Sequence, residues 1–502
     1  MKKLFISIIV FIISIYTGFS QDNVFLNRGY WKANPSIERI EIDIAAGNDP
    51  TAMTKALFDG VCYALLEKTD NKIIKYLLTK KGNEVHKLTH DGRTYLMWAA
   101  YANNIEMVKY LVEKGAKATV KGSHGYNTIN FAARGGVTNT KLYDFLIANG
   151  ADINDKNNSG ANPILLIASA TAGYKTKNSS KNISNTIEYF VDKGLNINDT
   201  DNTGNGLFNY AARGGEVELL KKLHQKGLAY NIINKNGENA ISMASLGINN
   251  PKNGLKTIQY LESLGLQLNI TDTNGRTPLH NIAHRSENLD IFKYLVDKGA
   301  KVNQQDTDGN SPFMNAANSN SLAVVEYLFL SITDINLKNK KGLSALTMAV
   351  NKNSVDVLEF LIQNGANTNI KDSKNNSLAY YLLNTYSIKK PGIFETKLKW
   401  LQEKKVSMTE SQNNQNTLLH LAVKENNFAL LKRLKDFKID INQRNKEGNT
   451  ALHLAAMSSK NEAIIKYLLA NGADKSLKTE FEETAFDLAN ENELLTNLDY
   501  LK

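Results

Sequence analysis

Asp272-Thr273-Asn274-Gly275-Arg276-Thr277-Pro278-Leu279-His280 is the stretch that decides the fold. Gly275 sits where a tight turn needs a positive φ, which glycine accepts without a Cβ clash. Thr277 is placed to cap the free N–H groups of a helix, and Pro278 suits the first helical turn. Leu279, Ile282 and Ala283 then recur at helical spacing, and after a break so do Ile291, Phe292 and Leu295. Gly299 closes the second helix as a left-handed C-cap, and a new turn follows at Asp308-Gly309. The unit reads turn, helix, loop, helix. A single copy leaves its apolar faces in water, so copies must stack.

The turn glycine recurs as Gly92, Gly125, Gly160, Gly204, Gly237, Gly275, Gly309, Gly342 and Gly448, with many gaps of 33 or 34 residues. Asn375-Asn376, Asn414 and Glu482 fill the same slot in three further units. The helix-opening slot reads Thr94-Tyr95-Leu96, Ser311-Pro312-Phe313, Ser344-Ala345-Leu346, Thr417-Leu418-Leu419-His420 and Thr450-Ala451-Leu452-His453. Small pairs follow, among them Ala99-Ala100, Ala132-Ala133 and Ala455-Ala456, which let neighbouring helices approach closely. Asn154, Asn198, Asn269, Asn303, Asn336, Asn369 and Asn442 each end a connecting segment, where an asparagine side chain captures backbone groups before the turn. The general abundance of asparagine, lysine and isoleucine reads as compositional bias.

In this register the chain resembles the ankyrin-repeat family over roughly residues 51–502, with the full Thr-Pro-Leu-His motif intact once. The resemblance implies an all-α solenoid of helix-turn-helix units joined by short β-hairpin turns. It also implies a non-enzymatic module that grips a protein partner with its hairpin tips and inner helix face.

The organisation expected is a signal peptide at 1–20, an atypical N-terminal capping region at 21–90, a repeat array at 91–479 and a C-terminal capping repeat at 480–502. Lys2 and Lys3 precede an apolar run from Leu4 to Tyr16, too short to span a bilayer, and Gly18 and Ser20 suit a cut before Gln21. The chain is therefore expected to be exported, periplasmic or extracellular, with no membrane span after cleavage. In the capping region, Pro35 is placed to start a helix through Ile37, Ile40 and Ile44, and a helix pair is expected at about 51–66 and 71–80.

Loop insertions are expected near 171–183, 247–254 and 384–394, each between paired helices. They carry Lys175, Lys177, Lys181, Lys252, Lys389 and Lys390, a set that reads either as solvated drift or as a basic rim. The unit from Asn375 to Met408 departs furthest from the pattern and is the expected weak point of the stack.

With 502 residues, 42% of them hydrophobic, the chain has material for a continuous core that needs no disulfides. Its single cysteine, Cys62, lies among Val61, Tyr63, Ala64 and Leu65 and reads as a buried small hydrophobe. There is no phosphate-binding glycine loop, Cys-x-x-Cys pair or nucleophile elbow, and no cofactor is implied. His280 and His284 have the spacing of zinc ligands, but no third ligand accompanies them, so no metal site is expected. The net charge of +10 is spread through the repeats and not gathered into one run, which argues against nucleic acid.

Mapping the binding surface by register gives Arg93, Tyr126 and Arg276 at hairpin tips, beside His90, Asp91 and His124. It gives Tyr101, Arg134 and Arg213 at the ends of first helices, with Arg285 close to that slot. Arginine and tyrosine are favoured interface anchors, so these residues suggest a stripe for an acidic or aromatic protein surface, presented by a monomer. The rival reading is a basic exported adhesin for anionic glycan or cell surface, or an effector secreted into another cell.

Overall fold

Thr277 caps the Pro278–Ala283 helix by a reciprocal pair of bonds. Its Oγ1 accepts from the His280 N–H, and its own N–H donates to His280 Nδ1 at 3.1 Å. The same box opens the helices at Thr417, Thr450 and Thr484, where Asp487 takes the histidine's place in the last. The partner helix, Leu289–Asp297, ends as Gly299 turns to φ +87° and the Ala300 N–H reaches back to the Leu295 carbonyl at 2.9 Å. Leu279, Ile282, Ala283, Ile291, Phe292 and Leu295 are all buried, as their spacing predicts.

The computed structural model describes residues 23–170, 180–247 and 254–502, and the chain divides into two compact units between Asn202 and Thr203. Each unit is a stack of paired helices. The described residues contain no sheet; the hairpins are turns closed by isolated bonds, such as the Asp272 N–H to the Arg276 carbonyl at 2.9 Å. The expected signal segment lies outside the described residues, as do 171–179 and 248–253 within two of the insertions.

The turn glycines hold φ between +68° at Gly92 and +89° at Gly204. Asn375, Asn414 and Glu482, read as their substitutes, also take positive φ. Consecutive turns are joined by a backbone ladder. In the first unit the N–H groups of His90, Ser123, Asn158 and Asn202 donate to the carbonyls of Leu57, Asp91, His124 and Ser159. In the second, Lys235, Thr273, Thr307, Lys340 and Ser373 do the same. A Cβ on Gly342 would meet the Ser373 nitrogen at 2.4 Å, so this turn glycine is needed for approach as well as for φ.

Asparagines that end connecting segments serve the stack. The side chains of Asn269, Asn303, Asn336 and Asn442 bond across repeats and not within their own turns. Each Nδ2 reaches into the next repeat, to the carbonyls of Gly299, Ser331, Gly365 and Gly472, at 2.8–3.1 Å. Asn320 and Asn353 make a second set of ties, donating to the Ala283 and Ala317 carbonyls at the ends of preceding inner helices. Those carbonyls face away from water, and an unpaired one would carry the full cost of its desolvation.

The N-terminal region is more regular than expected. Residues 53–59 form a hairpin turn, with a Met53–Asp59 bridge and Leu57 at φ +61°, so the first helix of that pair runs Gly60–Glu67 and not from 51. Asp59 stops the helix from extending backwards, because its Oδ1 accepts from the Cys62 N–H as N-cap. The second helix is Asn71–Leu77. Before this pair come Arg28–Lys32 and Ile37–Ala45, the latter capped by Ser36, with Pro35 one residue outside. Cys62 is fully buried, as its neighbours imply.

Residues 384–390 lie between the Leu378–Leu383 and Pro391–Glu403 helices, whereas 180–183 open the Ser180–Asp192 helix. Some of the added length becomes helix: Pro391–Glu403 has 13 residues where Leu289–Asp297 has 9, about one extra turn. In this divergent unit the turn ladder changes chemistry. The Asn413 N–H donates to the Asn376 side-chain Oδ1 instead of a carbonyl. Among the described residues no asparagine bonds the carbonyl of Val350, which holds the register position of Ala283 and Ala317. Lys397, only 3% exposed, donates Nζ to the Val350 carbonyl at 2.7 Å instead.

Candidate partner-binding surface

Tyr101 ends the Tyr95–Tyr101 helix, and Arg134 ends Thr128–Arg134 in the next repeat. Their helices open on Thr94 and Asn127, whose side chains cap the N-termini, so the register of each helix end is fixed from its start. The Tyr101 ring lies over Gly135, where a Cβ would approach it to 2.7 Å, and stacks on Phe131 with centroids 4.8 Å apart. Gly136 then takes φ +76°, and its counterpart Gly215 takes φ +79°. The repeated Ala-Ala-Arg-Gly-Gly is thus a helix ending that presents an arginine.

Around Phe131 the first unit gathers an aromatic band. Trp98 meets Phe131 edge-on at 5.2 Å, and Phe58 stacks on His90 at 4.3 Å. Tyr126, half-exposed at its hairpin, lies under the exposed Arg134 guanidinium at 5.4 Å. Asp91 is the ionic centre. It pairs with Arg93 Nη2 at 2.9 Å and lies 3.3 and 3.4 Å from the Nε2 atoms of His90 and His124.

Arg93 departs from the tip role that its register suggests: it is 5% exposed and packs over the faces of Phe131 (4.5 Å) and Trp98 (5.2 Å). Burial draws its pKa below the ordinary guanidinium value, partly opposed by Asp91. Its charge serves the inside of the unit, and the free charge at this surface belongs to Arg134.

Arg213, Arg276 and Arg285 belong to the second unit, and all three are exposed. Arg276 leans toward Asp306, at 3.7 Å, and Arg285 donates to the Leu246 carbonyl at 3.3 Å. The structure thus brings Tyr101, Tyr126 and Arg134 together around Phe131, while these three arginines stand apart from that cluster in sequence and in unit.

Sequence reasoning missed Trp98 and Phe131, because helical spacing marks them only as core, and Phe58, because it sits in the unforeseen 53–59 hairpin. Asp91 was noted as a tip residue without its ionic role. Asp91 holds the third hairpin position, that of Asn274, where no repeated pattern marks the role; the first position, Thr89 here, is Asp or Asn in other units. At Asp272, Asp306, Asn339 and Asp372 this side chain accepts from the second and fourth N–H groups after it.

The motif histidines are framework. His280, His420 and His453 accept the cap N–H at Nδ1 and meet a carbonyl of the following segment with Nε2. Both ring nitrogens of His280 are therefore engaged. Among the described residues no group of three His, Cys, Asp or Glu side chains is arranged to hold a metal. No described helix is long and apolar enough to cross a membrane.

The chain matches the profile for ankyrin repeats (3 copies) over residues 61–157, 248–339, 313–390 and 386–479. Among curated proteins it is similar to a putative palmitoyltransferase, ZDHHC13, of Danio rerio, at 24% identity over 42% of this chain and 30% of the relative. It is also similar to the E3 ubiquitin-protein ligase KEG of Arabidopsis thaliana, at 30% identity over 21% of this chain and 6% of the relative. The chain thus spans less than a third of either relative.

Proposed function

Because the chain belongs to the ankyrin-repeat family, we propose that it is a non-enzymatic protein-binding scaffold, with a principal contact surface around Tyr101, Tyr126 and Arg134. Ankyrin repeats imply a protein-interaction scaffold. The choice of surface rests on one observation: Arg134 and two half-exposed tyrosines converge on a rigid aromatic floor. Such a floor loses little ordering entropy on binding. A guanidinium held over a tyrosine face suits a carboxylate or an aromatic ring on the partner. The enzymatic names of the two relatives do not extend to this chain, since the matched portions are 30% and 6% of those proteins.

We place the mature chain outside the cytoplasm, supported by the charge and length pattern of residues 1–20. Sequencing the N-terminus of the protein from its native host tests this part, with Gln21 the expected first residue. An uncleaved Met1 in the cytoplasmic fraction would remove it.

Crosslinking and affinity capture from the native compartment tests the scaffold, comparing the unaltered chain with Arg134→Ala and Arg213→Ala. The expected result is a discrete protein partner, lost or weakened at least about tenfold by Arg134→Ala at unchanged thermal stability. Capture unchanged by that substitution would sink the surface assignment. Retention on a heparin-like resin with steep salt dependence, and no discrete partner, would favour the anionic-glycan reading.

A further inference from the structure

The insertion between Leu378–Leu383 and Pro391–Glu403 builds a cleft of about 1150 Å³ against the next repeat. Tyr380, Leu383 and Tyr386 form one wall, and Leu421, Phe428 and Leu430 the other. The walls are fixed. Tyr386 meets the fully buried Phe394 edge-on at 5.1 Å. Arg433 grips Glu395 with two bonds, of 2.8 and 2.9 Å, tying Pro391–Glu403 to Phe428–Arg433.

The charge around the cleft is one-sided. Lys389, Lys424 and Lys432 line it, and Glu425 is the one carboxylate among its lining residues. Lys432 lies over the Phe428 ring at 4.5 Å. Neither Lys389 nor Lys424 forms an ion pair among the described residues, and both are exposed. Ile388 stands 74% exposed at the mouth. A cavity for a small ligand holds roughly 300–1,000 Å³, so this volume suits a longer object. Aromatic walls under a lysine rim suit an object that is both apolar and anionic.

We propose that this cleft docks an extended acidic peptide segment of a partner protein. One aromatic or branched apolar side chain of the segment enters between Tyr386 and Phe428, and flanking carboxylates meet Lys389 and Lys424. This goes beyond the surface assigned above. It lies in the other unit, uses other residues, and stands if the Arg134 assignment falls.

The test selects a phage-displayed library of random dodecapeptides on the full immobilised chain, with counter-selection on Lys389→Glu/Lys424→Glu. Enriched peptides are then measured as free labelled probes by fluorescence anisotropy. The expected consensus pairs Asp or Glu with one Phe, Trp, Leu or Ile. Affinity should fall at least tenfold in Lys389→Glu/Lys424→Glu and in Tyr386→Ala, and stay within twofold in Arg134→Ala. The lysine pair is exposed, so that variant reports even where Tyr386→Ala disturbs the loop. No enrichment, or enrichment of basic or uncharged peptides, would overturn the proposal. So would acidic peptides that bind the lysine variant equally well, or bind without their apolar residue, which is polyanion attraction alone.

Discussion

His280, His420 and His453 show how one residue type sets local conditions. Each Nδ1 accepts the cap N–H, so each ring must be neutral to do its work. Burial lowers the pKa of all three, opposed in part by bonds to the Asn310, Asn449 and Leu477 carbonyls. The unfolded chain therefore takes up protons first as pH falls below about 6.5. The stability these rings contribute is complete above that pH and is lost progressively below it. Urea midpoints measured from pH 7.5 to 5 should fall, and His453→Asn should flatten the slope. Asn is chosen because Asn130 already fills this slot, donating to the Asp155 carbonyl at 2.8 Å. An unchanged slope would assign the acid sensitivity elsewhere. Two arginines make the complementary contrast. Arg93→Ala removes a buried cation from between two rings and should cost about 1–3 kcal/mol of stability. Arg134→Ala should cost less than about 0.5 kcal/mol, because its guanidinium is exposed. Equal losses in thermal or urea unfolding would undo the distinction between packing and presenting arginines.

At the scale of the element, the repeat tolerates large departures if its inter-repeat bonds are remade. The divergent unit lacks the asparagine that elsewhere ties back to the preceding inner helix, and Lys397 reaches the Val350 carbonyl from the lengthened Pro391–Glu403 helix. Desolvation pushes the Lys397 pKa down to about 8 from an ordinary lysine value of 10.5. Between those values the unfolded chain holds a proton that the folded chain has released, so stability rises with pH across the window. The gain is at most about 3 kcal/mol. In Lys397→Met the rise between pH 8 and 10.5 should vanish; a rise equal to that of the unaltered chain would contradict this placement. At neutral pH the buried cation is a cost, and one turn bond here is made by a side chain instead of a carbonyl. Hydrogen exchange should therefore open 377–408 before its neighbours. Protection of this unit above the rest of its stack would count against that.

At the scale of the whole molecule, stability is a sum over neighbours, because each repeat touches chiefly the ones beside it. Gly342→Ala places a Cβ against the Ser373 nitrogen at a positive φ, and should cost about 1–3 kcal/mol. The loss should appear in the exchange of hairpins near Gly309, Gly342 and Ser373, and leave amides around Gly125 unchanged. A uniform loss of protection through the chain would mean that the units unfold as a single body. The helix pairs, their order and the turn positions were legible because each repeats a short pattern at a fixed period. Even the substitutes Asn375, Asn414 and Glu482 could be placed by counting. The hairpin at 53–59 was not legible, because Leu57 takes a conformation that its identity disfavours, closed by its N–H bond to the Thr54 carbonyl and joined by the His90 N–H from the next turn.

The sequence alone determined the architecture, since turn chemistry, helix caps and apolar spacing are local properties written residue by residue. It also located the helix ends at Tyr101, Arg134 and Arg213. Only the tertiary structure decided which charges are available. Arg93 is consumed by Trp98 and Phe131, Lys397 by Val350, and Lys389 and Lys424 are left to face solvent beside aromatic walls. A side chain's charge follows from its identity, but its availability depends also on residues distant in sequence, as Phe131 is from Arg93 and Val350 from Lys397, that the fold brings within a few ångströms. No local pattern encodes that.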